Sequence, residues 1–177
     1  MQTLPKLESQ VLPVTIDPTY FRHVMRKFAT GVTVLTVREG NHIHGMTANA
    51  FASVSLSPTL VLVCVQKDTA THAFVSRAGN LAMNILSAEQ ETIARRFAKQ
   101  IVVSTDPFAD VAYHSAATGA PIIDDCIAYV DCRVVAAHDA GDHTIFVGEV
   151  QDAGYGSARD HTPLLWLDGK YAPAPHE

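Results

Sequence analysis

Strand-like segments that follow one another with few helices between them dominate this sequence. Residues 31–38 alternate and are rich in β-branched side chains, and residues 60–65 form a continuous apolar run that predicts a fully buried strand. Two long strand-like segments follow, over 126–137 and 143–150. Runs of consecutive strands favour antiparallel pairing over the parallel sheet of alternating strands and helices. The chain is therefore predicted to be mainly β, as an antiparallel barrel or barrel-like sheet with peripheral helices.

Helices are predicted from capping residues and from the spacing of apolar side chains. Asp17 and Pro18 are typical of an N-cap and a first helical position, and the helix that they begin is expected to end at Gly31. Ser87 and Gln90 are typical of a capping box. The other predicted elements are a strand from His42 onward, a short helix ending near Ala78, a strand over 81–86, a helix ending near Lys99, an irregular segment over 100–125 and a strand over 163–167.

The composition is that of an ordinary folded domain. Of 177 residues, 47% are hydrophobic and 18% charged, and the formal net charge is −5 without a block of Lys or Arg. A phosphate-backbone partner would require a basic stripe, so a nucleic-acid partner is not predicted. We expect a single domain over 17–171, with loose ends over 1–16 and 172–177.

The sequence favours a cytoplasmic location. The longest apolar run, 60–65, is far too short to cross a bilayer, and the first residues show no signal peptide. The three cysteines, Cys64, Cys126 and Cys132, lie in apolar strand-like runs at spacings that form no metal motif. An odd number of such residues favours free, buried thiols in a reducing compartment.

The stretch from Gly45 to Pro58 combines small residues and hydroxyls, and Phe51 is its only large aromatic side chain. Small side chains would let main-chain N–H groups and hydroxyls reach the polar edge of a planar cofactor whose faces pack on apolar groups. Alternatively, small residues relieve crowding in a strand near the edge of a barrel. Both interpretations stay open at this point.

Two further segments are candidates for ligand contacts. The loop from Gln66 to Thr71 leaves a strand and enters a helix, where free N–H groups would suit a phosphate and Lys67 would add a positive charge. An ordinary capped turn is the alternative. His143 begins a strand after Gly141 and Asp142. It either has a role at the site or is a tolerated polar residue at a strand start.

Other kinds of site are disfavoured. Gly154-Tyr155-Gly156 lacks the third glycine of a Rossmann dinucleotide site, and no Gly-x-Ser-x-Gly motif marks a hydrolase. His42 and His44 have a spacing that metals can use, but no Cys or carboxylate lies in register with them, so we interpret them as polar residues on a solvated face. No metal site is predicted.

Four segments together resemble the short-chain flavin reductase family. They are F-R-H-V-M-R-K-F-A-T-G-V-T-V-L-T, H-G-M-T-A-N-A-F-A-S-V-S-L-S-P, R-R-F-A-K and G-D-H-T-I-F-V-G-E-V, in the family's order across about residues 18–170. The resemblance implies an FMN-binding antiparallel split β-barrel with Greek-key-like strand order, usually as a homodimer. The implied activity is NAD(P)H-dependent reduction of FMN or FAD, with reduced flavin supplied to a separate flavin-dependent monooxygenase component.

The resemblance also implies roles for individual residues. The isoalloxazine ring would lie against Thr47, Ala48, Asn49 and Ala50, and His143 would meet the nicotinamide. The further implied flavin contacts are Ser53, Val54 and Ser55 near the ring or ribityl chain, Gln66, Lys67 and Thr71 at the phosphate end, and Phe97, Ala98 and Lys99 from the following helix. Residues 102–117 fit the family pattern poorly and are assigned no contact.

The sequence leaves several alternatives open. A tightly bound flavin could act directly on an organic substrate, or the barrel could be a non-catalytic flavin- or haem-binding sensor or carrier. No pair of Arg residues is clearly placed for a 2′-phosphate, which favours NADH over NADPH. FMN and FAD are not distinguished.

Overall fold

The computed structural model describes residues 16–101 and 106–175, which form a β-rich molecule with helices at its periphery. Its elements, in chain order, are α1 (Pro18–Met25), β1 (Thr30–Gly31), β2 (Thr33–Glu39), β3 (His42–Ala48), β4 (Phe51–Leu56), β5 (Thr59–Gln66), α2 (Ala70–Ala78), β6 (Asn80–Ile85), a 3-10 turn (Ala88–Gln90), α3 (Glu91–Phe97), β7 (Tyr113–Ser115), β8 (Pro121–Ile123), β9 (Ala128–Ala140), β10 (His143–Tyr155), β11 (Leu164–Leu167) and β12 (Lys170–Pro173).

A seven-stranded antiparallel sheet is the centre of the fold. Its strand order is β3-β2-β6-β9-β10-β5-β4, so β5 and β6 are consecutive in the chain but separated by a hairpin in the sheet. One apolar cluster draws buried side chains from β2, β3, β5, β6, β9 and β10, which requires the sheet to curl around a single core. The edge strands β3 and β4 are joined through Asn49 and Ala50. The architecture is an antiparallel split barrel, as predicted, and Asn49 and Ala50 lie where its two edges meet.

The strand predicted to be fully buried has two different faces. Val61, Val63 and Val65 of β5 point into the barrel and are buried, whereas Leu62 and Cys64 point outward and are only half-buried. Successive side chains of a strand point to opposite faces. The prediction of full burial was wrong because the outer face of β5 is only partly covered within this chain.

A second apolar cluster lies outside the barrel and positions α3. It joins Val32, which precedes β2, to Val34 of β2, Phe97 of α3 and Leu164 of β11. The capping box of Ser87 and Gln90 is present and begins the 3-10 turn before α3. A smaller sheet, in the order β1-β11-β12, borders this cluster.

Helix α1 begins as predicted but is shorter. The Asp17 side chain accepts a hydrogen bond from Tyr20 N at 2.9 Å, and Pro18 is the first helical residue. The helix ends at Met25, not at Gly31. Thr30 is extended because it pairs with Trp166 in the smaller sheet, a long-range contact with no local sequence signal.

Two regions contain more regular structure than predicted. The short strands β7 and β8 pair with each other within the segment that was expected to be irregular. Strand β12 pairs with β11 and continues to Pro173, past Tyr171, where the loose tail was expected to begin. Residues 102–105 lie outside the described residues, as do 1–15 of the predicted N-terminal end.

A buried amide fastens the β8 segment to the sheet. The Asn84 side chain is fully buried; its Nδ2 donates to Val34 O at 3.0 Å, and its Oδ1 accepts from Ile123 N at 2.8 Å. Buried polar groups need such partners, because an unpaired one would lose its hydrogen bonds to water. Asn84 thereby orders part of a chain segment that has little strand pattern of its own.

Among the described residues, none of the helices has the length and hydropathy that a bilayer-spanning segment needs. In the same ranges, no three His, Cys, Asp or Glu side chains come together closely enough to hold a metal ion.

Candidate functional site

Two neighbouring cavities meet at the junction of the edge strands. One, of about 230 Å³, is lined by Val32, Thr47, Asn49, Ala98, Gln100, Trp166 and Tyr171. The other, of about 530 Å³, lies between α1 and the outer face of β4 and β5, and its lining includes Asn49, Ala50, Leu62, Cys64 and Trp166. Asn49 and Trp166 line both cavities, so the predicted ring-binding residues and one unpredicted aromatic residue form a common wall.

Thr47 fastens β3 to α3 beside the smaller cavity. Its Oγ1 donates a hydrogen bond to Ala94 O at 2.6 Å. This contact sets the distance between the β3 wall and Ala98, which follows α3 and lines the same cavity. Asn49 is exposed, and its Nδ2 donates to Thr30 Oγ1 at 3.0 Å.

Ala48 has a different environment from its neighbours. Its side chain is buried in the barrel core, and its carbonyl accepts a hydrogen bond from Thr33 Oγ1 at 2.7 Å. Any contact of Ala48 with a ligand outside the barrel would therefore come from its main chain.

The hydroxyl-rich part of the stretch is the edge strand β4, which pairs with β5 alone in the sheet order. Ser53 and Val54 are exposed, and an irregularity in the pairing lies between Ser53 and Ser55. Ser55 Oγ accepts from Ser57 N at 3.2 Å. An edge strand leaves main-chain N–H and C=O groups open on one side. This strand therefore fits both interpretations of the stretch. Its small residues lie near a barrel edge, and its main chain is accessible to a ligand.

The loop before α2 is a capped helix start. Thr69 Oγ1 donates to Gln66 O at 2.7 Å and accepts from His72 N at 3.2 Å. The N–H groups of Ala70 and Thr71, in the first turn of α2, have no acceptor within the described residues. Free first-turn N–H groups can hold a phosphate oxygen.

Lys67 is engaged with the turn between β9 and β10. Its Nζ donates to Gly141 O at 2.8 Å and forms an ion pair with Asp139 at 3.2 Å, while its N–H donates to Asp142 O at 3.0 Å. A phosphate at Lys67 would have to compete with these contacts.

Thr71 and His44 form a contact between α2 and β3. Thr71 is only 2% exposed, and its Oγ1 lies 2.9 Å from His44 Nε2. The His44 ring stacks on Phe74 with a centroid distance of 4.9 Å. Burial lowers the pKa of His44, and the positive charge of Lys99 lowers it further. His42 is exposed, as expected. The prediction that His44 also lies on a solvated face was wrong, because α2 packs over His44.

His143 begins β10 directly opposite Gln66 of β5. Its Nδ1 lies 2.8 Å from Asp142 Oδ1, and the pKa of Asp142 is lowered mainly by this hydrogen bond. Two residues further along, Ile145 pairs with Cys64, which lines the larger cavity. Because alternate residues share a face, His143 lies on the same face of the sheet as that cavity wall.

The residues after α3 divide between the core and the site. Phe97 is buried, and a Cβ at Gly45 would lie 2.6 Å from its ring, so Gly45 permits this close packing. Lys99 is exposed and has a positive φ of 57°. Of the three predicted contacts, only Ala98 lines one of the two cavities, whereas Phe97 is buried and could reach a ligand only through its main chain.

Trp166 and Tyr171 line the smaller cavity, although no pattern in the sequence singles them out. Their rings meet edge to face with centroids 4.9 Å apart, and the Arg95 guanidinium lies 4.9 Å from the centre of the Tyr171 ring. The pairing of Trp166 with Thr30 brings this C-terminal hairpin beside β3. A single sequence carries no signal for such a pairing, so nothing in the local pattern could have identified these two residues.

The lining fits a planar, mostly apolar ring with a polar edge. Ala50 and Ala52 leave the main chain of the wall accessible, while Leu62, Cys64 and Trp166 supply apolar surface. Pockets of this kind bind ring systems through apolar walls and a few well-placed polar groups. A flavin ring has these properties, so the residues present fit a flavin.

Comparisons with known proteins find flavin reductases among the similar chains. The family model described as "Flavin reductase like domain" matches residues 25–175. The FMN reductase (NADH) SmoA of Agrobacterium fabrum is 41% identical over 151 residues, which cover 85% of this chain and 83% of that protein. The flavin-dependent monooxygenase reductase subunit HsaB of Mycobacterium tuberculosis is 35% identical over 156 residues, with 88% and 82% covered. The solved structure of the NADH:FAD oxidoreductase SgcE6 of Streptomyces globisporus matches with a TM-score of 0.83 at 38% identity, covering 91% of this chain and 97% of that one.

Proposed function

This chain belongs to the flavin reductase-like domain family, and from that premise we propose that it is an NADH-dependent flavin reductase. It reduces FMN or FAD and supplies the reduced flavin to a separate monooxygenase component. The observation that carries the proposal is the wall shared by two cavities, where the accessible edge at Asn49 and Ala50 meets Trp166. The relatives named as NADH-dependent flavin reductases and as a monooxygenase reductase subunit support the same assignment.

In the proposed binding mode, the ring lies along Thr47, Asn49 and Ala50. The main chain of Ala48 and the edge strand at Ser53, Val54 and Ser55 extend this surface toward the ring or ribityl chain. Ala98 and the main chain of Phe97 contact the flavin from the α3 side. Thr47 supports this arrangement by holding α3 at a fixed distance from β3 through Ala94.

The phosphate end of the flavin is proposed to meet the first turn of α2, at Thr71, with Gln66 and Lys67 beside it. Lys99 adds a positive charge on the same side, close enough to His44 to lower the pKa of that histidine. The engagement of Lys67 with Gly141 and Asp139 supports a shared role, in which Lys67 also holds the turn that precedes His143.

We further propose that His143 orients the nicotinamide. The flavin, when bound, accepts a hydride, and this transfer needs two closely aligned rings rather than a strong acid or base. His143 lies on the face of the larger cavity and forms a hydrogen bond to Asp142, and both features support a defined orientation of its imidazole. The main-chain N–H groups of Thr47, Asn49 and Ala50 would stabilise the negative charge that the flavin ring gains on reduction.

The proposal includes a homodimer of single-domain chains in the cytoplasm. Large apolar side chains of α1 and its following turn are exposed in the single chain, among them Tyr20 at 65%, Phe21 at 54% and Phe28 at 67%. Exposed apolar patches of this kind mark interaction surfaces. The free thiols of Cys126 and Cys132, which are fully buried, support a reducing compartment.

One set of assays tests the activity. NADH and NADPH consumption is measured with FMN, FAD and riboflavin in turn, and we expect saturable dependence on added flavin with a preference for NADH. Direct binding is measured in parallel, because Trp166 is the only tryptophan and lines both cavities. Absence of both NADH consumption and flavin-dependent quenching of Trp166 would overturn the proposed function.

A further inference from the structure

His44 is a histidine outside the cavities whose contacts connect two parts of the proposed flavin site. It lies on β3 three residues before Thr47, and an odd spacing puts the two side chains on opposite faces of the strand. Thr47 bonds to Ala94 of α3, whereas His44 bonds to Thr71 of α2. Strand β3 is therefore fastened to α3 on one face and to α2 on the other.

The Thr71 hydroxyl is occupied by this contact. Thr71 is 2% exposed and its Oγ1 lies 2.9 Å from His44 Nε2, so the hydroxyl is not directed at a ligand. What the first turn of α2 can offer a phosphate is its main-chain N–H groups, at Ala70 and Thr71, which have no acceptor within the described residues.

The second positive element comes from the other helix. Lys99 is an exposed residue two positions after the end of α3, the helix that Thr47 holds against β3 through Ala94 O. The relative position of Lys99 and the first turn of α2 thus depends on β3, which holds α3 through Thr47 and α2 through His44. A phosphate that contacts both would be sensitive to a small shift of α2, since hydrogen bonds weaken steeply with poor alignment.

We propose that His44 is a positioning residue for the flavin phosphate: through the Thr71 hydroxyl it fixes the first turn of α2 relative to Lys99. This inference rests on the proposed function and names a residue that would favour phosphorylated flavins over riboflavin indirectly, through the position of α2. The stacking of His44 on Phe74 holds the imidazole in the plane that the contact with Thr71 requires.

The test compares equilibrium binding of FMN and riboflavin without NADH, followed by quenching of Trp166 fluorescence. His44→Phe keeps an aromatic ring against Phe74 but removes the hydrogen bond. We expect its affinity for FMN to fall about fivefold, the effect of one net hydrogen bond, with riboflavin affinity unchanged within about twofold. His44→Gln, which can still bond to Thr71, restores most of the affinity for FMN. His42→Phe, on an exposed position of the same strand, is the matched control.

Thr71→Val removes the same hydrogen bond from the α2 side and serves if His44→Phe does not fold. We expect the same selective loss of affinity for FMN. The double variant His44→Phe/Thr71→Val should bind FMN no more weakly than either single variant, because both changes remove the same interaction. If His44→Phe and Thr71→Val lose affinity equally for FMN and riboflavin, or lose none for FMN, the role of His44 is overturned while the reductase assignment stays intact. If the wild-type protein binds neither flavin, the proposed function itself fails.

Discussion

Lys67 and His143 lie close together at the ends of paired strands, yet their side chains have different contacts. Lys67 Nζ is held by Gly141 O and Asp139 on the turn between β9 and β10. His143 has a single side-chain contact among the described residues, to Asp142, and its side chain remains 41% exposed on the face of the larger cavity. Of the two, His143 is the residue that a second substrate could approach without displacing an existing ion pair.

Replacing His143 with Ala should therefore affect the nicotinamide step selectively. We expect the KM for NADH to rise and flavin reduction to slow, each about tenfold or less, as for the loss of one substrate hydrogen bond. The affinity for FMN, measured by Trp166 quenching, should stay near that of the wild type. His138→Ala changes an exposed histidine on the adjacent strand and is the control. Unchanged kinetics in His143→Ala would remove His143 from the site.

The residues named from the sequence differ in how accessible their side chains are. Thr47, Asn49 and Ala98 line a cavity, so a ligand there could reach them. Phe97 and Thr71 were named for the same reason, but their side chains are buried against other parts of the protein. The sequence shows which residue types are present, and burial then decides which of their atoms a ligand can reach.

At the scale of elements, the packing of α2 on β3 gives His44 a protonation equilibrium that differs between the folded and unfolded chain. Burial and the charge of Lys99 both lower its pKa from the ordinary 6.5. Thr71 and Phe74 are the groups that face it from α2, and neither carries a charge that would offset this shift.

The folded state should therefore lose stability as the pH falls below about 6.5, because the unfolded chain takes up a proton at His44 that the folded chain resists. The loss continues until the pH passes the lowered pKa of the folded state. We expect the thermal midpoint of the wild type to fall more between pH 7.5 and 5.5 than that of His44→Phe, as measured by circular dichroism. An identical pH dependence in the two proteins would show that His44 does not contribute. Acidic groups with lowered pKa, such as Asp142, titrate below this window.

Helix and strand boundaries followed the local pattern where local forces decide them. The Asp17 cap and the Ser87 capping box were both predicted and both present, because a side chain and a nearby main-chain group suffice to form them. The end of α1 was predicted wrongly because Thr30 pairs with Trp166, a residue far away in the chain.

At the scale of the whole molecule, α1 and its following turn carry the largest group of exposed large hydrophobic side chains among residues 16–101 and 106–175. Its apolar residues Phe21, Val24 and Met25, with Phe28 just after the helix, are about half-exposed or more. They fall on one side of the helix, with Thr19 and His23 on the other. A second copy of the chain is the proposed cover for this face.

Replacing Phe21 and Phe28 together with Glu should convert the proposed homodimer into a monomer, because two charges would have to be buried at the interface without partners. The measurement is the molar mass by sedimentation equilibrium. His23→Glu adds a charge to the opposite side of the same helix and should leave the mass unchanged. A wild-type mass equal to one chain, or a dimer that survives both replacements, would contradict the proposal.

The sequence by itself determined the class of fold, through consecutive strands that favour antiparallel pairing, and it singled out a segment whose residues line the two cavities. It did so because strand periodicity and small-residue composition are local properties that hold wherever the chain is folded. The tertiary structure alone decided that Trp166 lines both cavities, that the Thr71 hydroxyl contacts His44, and that Asn49 lies between the two cavities. These contacts join segments far apart in the chain, and their geometry follows from strand register and helix packing, which no local pattern encodes.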